Sequence, residues 1–295
     1  MKPAPFEYHR PSDLDEALEL LADLPEAEPL AGNQSLSILM SNRLASPDHL
    51  VDINDLDSLQ SVEADAASVE VGAVVRHREV ERSETLAETV PMLPEAAEQI
   101  AGPVVRNRGT VGGSLGEGDP AGNYPCVAAA LDADLELAST DGTRTVAAEE
   151  FFIATLFTDR EPDELITGLT VPRDPFPTER TGQTFLAVKE AAQTWPTLSA
   201  AGVVRVDDPT ADDPVVEEAR IALANAAEVP LRVEDAEAEL EGRPLADDAL
   251  DAAGELAYEA ANPEDEMHAD ETYKRELARE YTKRALERAH ERALA

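Results

Sequence analysis

The sequence predicts an α+β protein whose strand-forming and helix-forming segments are largely separated along the chain. Apolar residues that alternate with polar ones predict strands in the middle of the chain, at residues 68–75, 134–139 and 165–171. The same pattern predicts three strands later, at residues 184–188, 198–206 and 219–224, and helical periodicity follows from residue 233 onward. A stretch with three prolines, residues 172–177, predicts a domain boundary between these two parts.

The first part of the chain also contains helices and one further strand. Leu14, Ala17, Leu18 and Leu21 recur at helical spacing, which predicts a helix over residues 13–24 that Pro25 ends. A glycine turn at Gly32 comes next. Helices are then predicted at residues 36–44, 77–85 and 94–100, and a short strand at residues 49–53.

In the second part, the acidic residues 207–214 predict the connection of a hairpin between two of the three strands. The last helix carries Tyr273, Leu277, Tyr281 and Ala285 four residues apart. Residues at this spacing lie on one face of a helix, so we expect these four to form its packed face.

The charge of the chain excludes several classes of function. Its 295 residues include 24 Lys and Arg against 62 Asp and Glu, a net charge of −38, while 43% of the residues are apolar. Nucleic acids and anionic lipid surfaces are bound through clustered Lys and Arg, so we expect neither as a partner. The apolar content is sufficient for a folded core, which a disordered acidic chain lacks.

The composition also predicts the setting in which the protein works. Few of the basic residues are Lys, and this acidity is typical of halophilic proteins; molar salt shortens the Debye length to about 3 Å and screens the self-repulsion. We therefore expect stability that rises with salt. The residues before Pro11 form no apolar signal segment, and no run of 18 apolar residues occurs, which predicts a cytoplasmic protein without membrane insertion.

Two short glycine-containing loops are the candidate binding elements. The first consists of Ala31, Gly32, Asn33, Gln34 and Ser35, and the second of Thr110, Val111, Gly112, Gly113 and Ser114. Glycine lets a ligand approach the backbone, and exposed N–H groups beside hydroxyl and amide donors suit a pyrophosphate. Taken singly, each loop could equally be an ordinary tight turn.

Other chemical motifs are absent or imperfect. A G-x-G-x-x-A match begins at Gly116, but Pro120 and two acidic residues occupy the place where a dinucleotide-binding helix would meet an anion. The five histidines are scattered and form no H-E-x-x-H pair, so the sequence predicts no metal site. Cys126 is the only cysteine, which excludes thiolate-held clusters within the chain. We find no catalytic acid–base constellation.

Four motifs follow one another along the chain: the opening from Pro5 to Pro11, the loop from Ala31 to Leu36, the run from Arg43 to Ile53, and the segment from Val105 to Leu115. In this order they resemble the FAD-binding medium subunit of the xanthine dehydrogenase and aerobic carbon monoxide dehydrogenase family of molybdenum hydroxylases. The resemblance implies a two-lobed FAD-binding domain of the PCMH type over residues 1–174, with lobes 1–57 and 58–174. A C-terminal domain over residues 175–295 would hold a three-stranded antiparallel sheet and a helical bundle.

The resemblance also assigns roles to particular residues. Both glycine loops would wrap the FAD diphosphate, with Arg106 and Arg108 helping to present the second. Asn123 stands where the family commonly has an aspartate that contacts the ribose, and its amide can still hydrogen-bond a hydroxyl, so we expect Asn123 to contact the cofactor. Glu117 stands where a histidine is common. Lys189 would lie near the flavin ring. Trp195, whose alternative is simple core packing, would cover the isoalloxazine.

The family's division of labour implies the partners. A large subunit would bind the molybdopterin cofactor, a small subunit would carry two [2Fe–2S] clusters, and this chain would pass electrons to quinone, NAD or oxygen. Two alternatives stay open: a free-standing flavin oxidoreductase of the same fold, and a scaffold subunit that has lost FAD, which the departures at Glu117 and Asn123 permit.

Overall fold

The computed structural model describes residues 2–295 and divides them between fourteen strands and twelve α-helices. A 3₁₀ turn spans Asp57–Leu59. The strands are β1 (Glu7–His9), β2 (Ala27–Leu30), β3 (His49–Asp52), β4 (Val62–Ala64), β5 (Ser68–Gly72), β6 (Asp134–Ser139), β7 (Gly142–Ala147), β8 (Phe152–Ala154), β9 (Phe157–Thr158), β10 (Leu165–Pro172), β11 (Thr181–Lys189), β12 (Pro196–Val206), β13 (Val216–Ala224) and β14 (Leu231–Arg232). The helices are α1 (Leu14–Asp23), α2 (Leu36–Asn42), α3 (His77–Arg82), α4 (Glu84–Thr89), α5 (Met92–Glu98), α6 (Pro103–Arg106), α7 (Val111–Glu117), α8 (Asn123–Ala130), α9 (Ala148–Phe151), α10 (Glu234–Leu240), α11 (Asp247–Ala260) and α12 (Glu271–Ala293).

The N-terminal part is a small parallel sheet, in the order β1-β3-β2, covered by α1. The helix begins where the Asp13 side chain accepts a hydrogen bond from the Glu16 N–H at 3.0 Å, an N-cap that satisfies one free donor of the first turn. Its buried face is the predicted one, formed by Ala17, Leu18 and Leu21. The first glycine loop leaves this sheet at the carboxyl end of β2.

A five-stranded antiparallel sheet follows, in the order β4-β5-β10-β6-β7, and carries the second glycine loop on its helical side. The strand predicted over residues 68–75 ends earlier, at Gly72, because Gly72 packs on the Leu59 carbonyl and Val75 turns back to donate to the Gly72 oxygen at 3.1 Å. The predicted strands at residues 134–139 and 165–171 are confirmed.

The sequence did not predict α8, which lies between this sheet and the C-terminal one and contacts α5, β12 and β13. All eight of its residues are buried. A helix enclosed on every side has no polar face, so the periodic signal by which surface helices are recognised is absent.

The C-terminal sheet has the order β11-β12-β13-β14, antiparallel throughout, and α12 packs across it. The three predicted strands are present, each longer than expected, and β14 adds a two-residue edge that is too short to show alternation. Phe176, in the proline-rich segment, is 3% exposed and shares one core cluster with Val171 and Phe185. The hydrophobic core is therefore continuous across residues 172–177.

The packed face predicted for the last helix is wrong at its N-terminal end, where Tyr273 is 49% exposed. Leu277 and Tyr281 are partly buried against the C-terminal core, and Ala285 is buried as predicted. The fully buried positions also include Ala278, Thr282 and Ala289. Small side chains are required here because the helix backbone approaches the sheet closely: a Cβ on Gly182 of β11 would lie 1.8 Å from the Ala289 oxygen.

Candidate functional site

The first glycine loop is in close backbone contact with Arg108 and Gly109, the two residues that lead directly into the second loop. The first, Ala31–Ser35, joins β2 to α2, and the second, Thr110–Ser114, begins α7. A Cβ added to Gly32 would lie 2.5 Å from the Arg108 oxygen and 2.6 Å from the Gly109 Cα. Real Cβ atoms do not approach backbone atoms this closely, so only glycine at position 32 lets the loops meet.

The first loop provides unoccupied hydrogen-bond donors. Within residues 2–295, the backbone N–H groups of Gly32, Asn33, Gln34 and Ser35 have no acceptor in the protein. Asn33 adopts φ of 58°, a left-handed conformation that asparagine tolerates better than most residues, and this turns the backbone of the loop. A run of free N–H groups in such a turn is suited to binding an anion.

The second loop has a different structure from the one expected, because it is the N-cap and first turn of a helix. The Thr110 hydroxyl accepts from the Gly113 N–H at 3.1 Å, and the Thr110 carbonyl accepts from Ser114. The N–H groups of Val111 and Gly112 donate to the Val75 and Ala73 carbonyls. The backbone N–H groups of residues 111–114 are therefore already used within the protein.

The two glycines of the second loop occupy their positions for different reasons. A Cβ on Gly112 would lie 2.6 Å from the Ala73 Cβ, so Gly112 allows α7 to pack against the end of β5. Gly113 is exposed, and a Cβ there would meet only the Thr110 hydroxyl, at 2.8 Å. Of the two, Gly113 is the one that leaves the surface of the loop open to a ligand.

Asn54 and Arg76, which sequence reasoning did not single out, connect the two loops. The Asn54 amide donates to the Leu30 and Ala31 carbonyls at 3.1 and 2.8 Å, and its oxygen accepts from Arg76 at 2.7 Å. The other terminal nitrogen of the Arg76 guanidinium, Nη1, donates to the Arg108 carbonyl at 2.5 Å. No local motif marks these residues, because the contacts span 22 to 32 positions of the chain.

The arginines near the second loop have unequal freedom. Arg106 pairs with Glu81 at 2.9 Å, and its side chain is 11% exposed. It also donates to three carbonyls in residues 98–101, so it stabilises the segment that precedes the second loop. Arg108 is exposed and makes no ion pair within residues 2–295. Burial and the nearby Arg108 charge lower the pKa of Arg76, which indicates local positive charge beside the loops.

Two carboxyl groups face the same region. Burial raises the pKa of Glu117, at the end of α7, and Asp119 raises it further, while the neighbouring Ser35 hydroxyl opposes the shift. Burial also raises the pKa of Asp119. Burial therefore disfavours the charged form of both carboxyl groups.

Asn123 has a structural contact of its own. Its side chain is 5% exposed, and its amide donates to the Ala96 carbonyl at 2.8 Å, which ties α8 to α5. Buried amides usually have such a backbone partner, and the ribose contact of Asn123 stays a prediction.

Lys189 and Trp195 lie at the turn between β11 and β12. The Lys189 ammonium donates to the Gln99 and Ala192 carbonyls at 2.7 and 2.8 Å, and burial lowers its pKa. Trp195 is 55% exposed, which excludes simple core packing. The Asn225 side chain donates to the Pro196 carbonyl, and its N–H donates to Pro120, so this turn lies near the segment that follows α7.

The residues present therefore fit a dinucleotide such as FAD. Free backbone donors, a cleft that a Cβ at position 32 would fill and two nearby guanidinium groups together suit a diphosphate. These groups can bind a diphosphate without the help of a lysine, in a chain of strongly negative net charge.

Among residues 2–295 there is also no helix with the length and apolar character needed to cross a bilayer.

Comparison with known proteins adds an independent finding. Residues 4–174 match the family model described as the FAD binding domain in molybdopterin dehydrogenase, and residues 183–289 match the CO dehydrogenase flavoprotein C-terminal domain. The carbon monoxide dehydrogenase medium chain of Hydrogenophaga pseudoflava is 35% identical over 98% of both chains. The 6-hydroxypseudooxynicotine dehydrogenase complex subunit alpha of Paenarthrobacter nicotinovorans is 32% identical, over 99% of this chain and 97% of the other. A solved structure of the Hydrogenophaga carbon monoxide dehydrogenase superposes with a TM-score of 0.93 at 36% identity and covers 99% of each chain.

Proposed function

The chain belongs to the FAD-binding medium subunits of the carbon monoxide and xanthine dehydrogenase family, and on that premise we propose that it is the electron-output subunit of a molybdenum hydroxylase complex. In this proposal it receives electrons from [2Fe–2S] clusters of a small partner subunit, while a large partner binds the molybdopterin cofactor. The electrons leave to an external acceptor: quinone, NAD or oxygen.

The observation that carries the proposal is the close backbone contact of Gly32 with Arg108 and Gly109. It brings the first loop, with its free N–H groups, against the residues that lead directly into the second loop. We propose that the first loop donates to the diphosphate, that the second forms the opposite wall, and that Arg76 and Arg108 add positive charge. Lys189 and Trp195 are proposed to lie toward the flavin end.

When bound, FAD supplies the conversion between one- and two-electron chemistry. The chain's own residues then bind and orient the cofactor and need perform no acid–base step on a substrate. Cys126 is fully buried, and burial raises the pKa of its thiol to about 12, so it is unsuited to hold a metal cluster. In our proposal, electrons therefore enter from clusters on another chain.

The substrate of the complex is set outside this chain in our proposal. Relatives of nearly equal identity carry different substrate names, since carbon monoxide dehydrogenase stands at 35% and 6-hydroxypseudooxynicotine dehydrogenase at 32%. Because medium chains of such similar sequence belong to dehydrogenases named for such different substrates, we propose that the medium chain does not select the substrate. The partner that binds molybdenum is the proposed place of that selection.

Purification of the native complex through a tag on this chain tests the proposal. We expect one FAD per chain, co-elution with subunits that contain molybdenum and iron, and reduction of the flavin by substrate only when those subunits are present. A yellow monomer that turns over a substrate alone would establish a free-standing flavin oxidoreductase instead. A colourless protein that still assembles with the partners would establish a scaffold.

A further inference from the structure

Three side chains with metal-binding chemistry meet on the N-terminal sheet, where β1 pairs with β3. Strands β1 and β3 pair in parallel with Glu7 opposite His49, and His9 lies two residues beyond Glu7. Residues two apart in a strand point to the same face, and paired residues of neighbouring strands share that face. The topology therefore places Glu7, His9 and His49 together, although 40 positions separate the two histidines in sequence.

The distances between the potential ligand atoms suit a metal ion. His9 Nε2 lies 3.0 Å from His49 Nδ1, His49 Nδ1 lies 3.8 Å from Glu7 Oε2, and one atom from each residue falls within 4.8 Å of the others. Ligands held about 2.0–2.1 Å from a tetrahedral zinc ion are about 3.4 Å apart. Small side-chain rotations would convert the present histidine–histidine hydrogen bond into two bonds to one ion.

We propose that Glu7, His9 and His49 form a binding site for a divalent first-row transition metal ion such as Zn²⁺. Two imidazoles and one carboxylate suit this class of ion, whereas Mg²⁺ and Ca²⁺ prefer oxygen ligands throughout. The His49 side chain is 15% exposed and the Glu7 side chain 75%, so water can complete the coordination from the open side. The net charge of −38 raises the local concentration of cations around the protein.

The consequence of such a site would be structural. Strand β1 has three residues and lies at the edge of its sheet, and an ion would link it to the central strand β3. An ion that binds only the folded state stabilises it by mass action. The proposed site thus anchors the N-terminal strand of the lobe that carries the first glycine loop.

Titration of the FAD-loaded full chain with Zn²⁺, in molar NaCl with excess Mg²⁺ to suppress diffuse binding to carboxylates, tests the proposal. Calorimetry should give one tight Zn²⁺ per chain and a rise in melting temperature. Co²⁺ at the same site should give visible d–d absorption. In His9→Gln the affinity should fall by at least roughly 100-fold, the upper end of what loss of a mere supporting partner costs.

His268→Gln is the matched control, because His268 is also partly exposed and flanked by two glutamates, Glu190 and Glu266. It should bind Zn²⁺ as the wild type does. Glu7→Gln, at an exposed position, provides a second ligand variant if His9→Gln fails to fold. Absence of stoichiometric binding in the wild type, or equal affinity in the wild type, His9→Gln and Glu7→Gln, would overturn the proposal.

Discussion

Replacement of Gly32 by alanine tests the contact between the two loops. The new Cβ would lie 2.5 Å from the Arg108 oxygen and 2.6 Å from the Gly109 Cα. Non-bonded atoms are most stable about 3.5–4.0 Å apart, so the loops would have to separate by about 1 Å. A shift of that size takes a hydrogen bond of about 2.9 Å beyond its useful range.

The expected loss follows from the donors affected. Hydrogen bonds to a charged group contribute about 1.5–3 kcal/mol each, and displacement of two of them costs about 3–6 kcal/mol. That corresponds to a rise in the Kd for FAD of roughly 10²- to 10⁴-fold. The strain should also lower the free energy of unfolding, by about 1–3 kcal/mol as for other overpacked sites.

The measurement is the FAD affinity of the deflavinated protein by calorimetry, together with the flavin content after purification. Gly168→Ala in β10 is the matched control, because its Cβ would make an ordinary contact of 3.4 Å with the Val71 oxygen. It should retain the wild-type Kd. A folded Gly32→Ala protein with unchanged FAD affinity would refute the role of the contact in shaping the site.

Four further outcomes are expected. Arg76→Gln should weaken FAD binding by about tenfold or more, because it removes the charged donor that links Asn54 to the Arg108 carbonyl. Arg78→Gln, in the helix that Arg76 caps, should not weaken it, and equal calorimetric affinities of the two variants would contradict this. The raised pKa of Glu117 means that its ionisation is disfavoured in the folded state, so the stability and the FAD affinity should both fall as the pH rises from the ordinary glutamate pKa to the raised one. Glu117→Gln should bind FAD more tightly, and its FAD affinity should depend less on pH. If the pH dependence of FAD affinity is the same in the variant and the wild type, Glu117 is not the group responsible. Emission of Trp195, the only tryptophan, should be quenched when FAD binds, and FAD absorbance that reports binding without quenching would exclude its place near the flavin. The melting temperature should rise as KCl approaches molar concentration, because screening relieves the repulsion of 38 excess negative charges; a flat or falling series would count against a salt-rich setting.

Much of the fold could be predicted because its signals are local. Helix α1 has an N-cap at Asp13 and an apolar stripe, and the strands of both large sheets alternate in hydrophobicity. Hydrophobic periodicity does not reveal α8, because every residue of this helix is buried. It also misses part of the packed face of α12, which consists largely of alanines because the helix backbone lies close to the sheet. In both cases the decisive contacts come from strands far away in the chain.

The candidate site shows the same division. Glycine loops can be recognised from sequence because the lack of a Cβ is a property of the residue. The sequence does not show whether the N–H groups of these loops are free, because that depends on acceptors in distant segments, such as the Ala73 carbonyl that accepts from Gly112. Arg106 likewise looks like loop charge in sequence and is a buried partner of Glu81 in the structure.

The sequence by itself determined the family and the cofactor class, because motif order is a property of the linear chain. Only the tertiary structure decided which donors stay free, that Asn123 faces α5, that Trp195 is exposed, and that two distant histidines adjoin. These outcomes depend on which elements pack together. Hydrogen bonds and metal sites form between atoms close in space, and a periodic pattern reports only the face on which each atom lies.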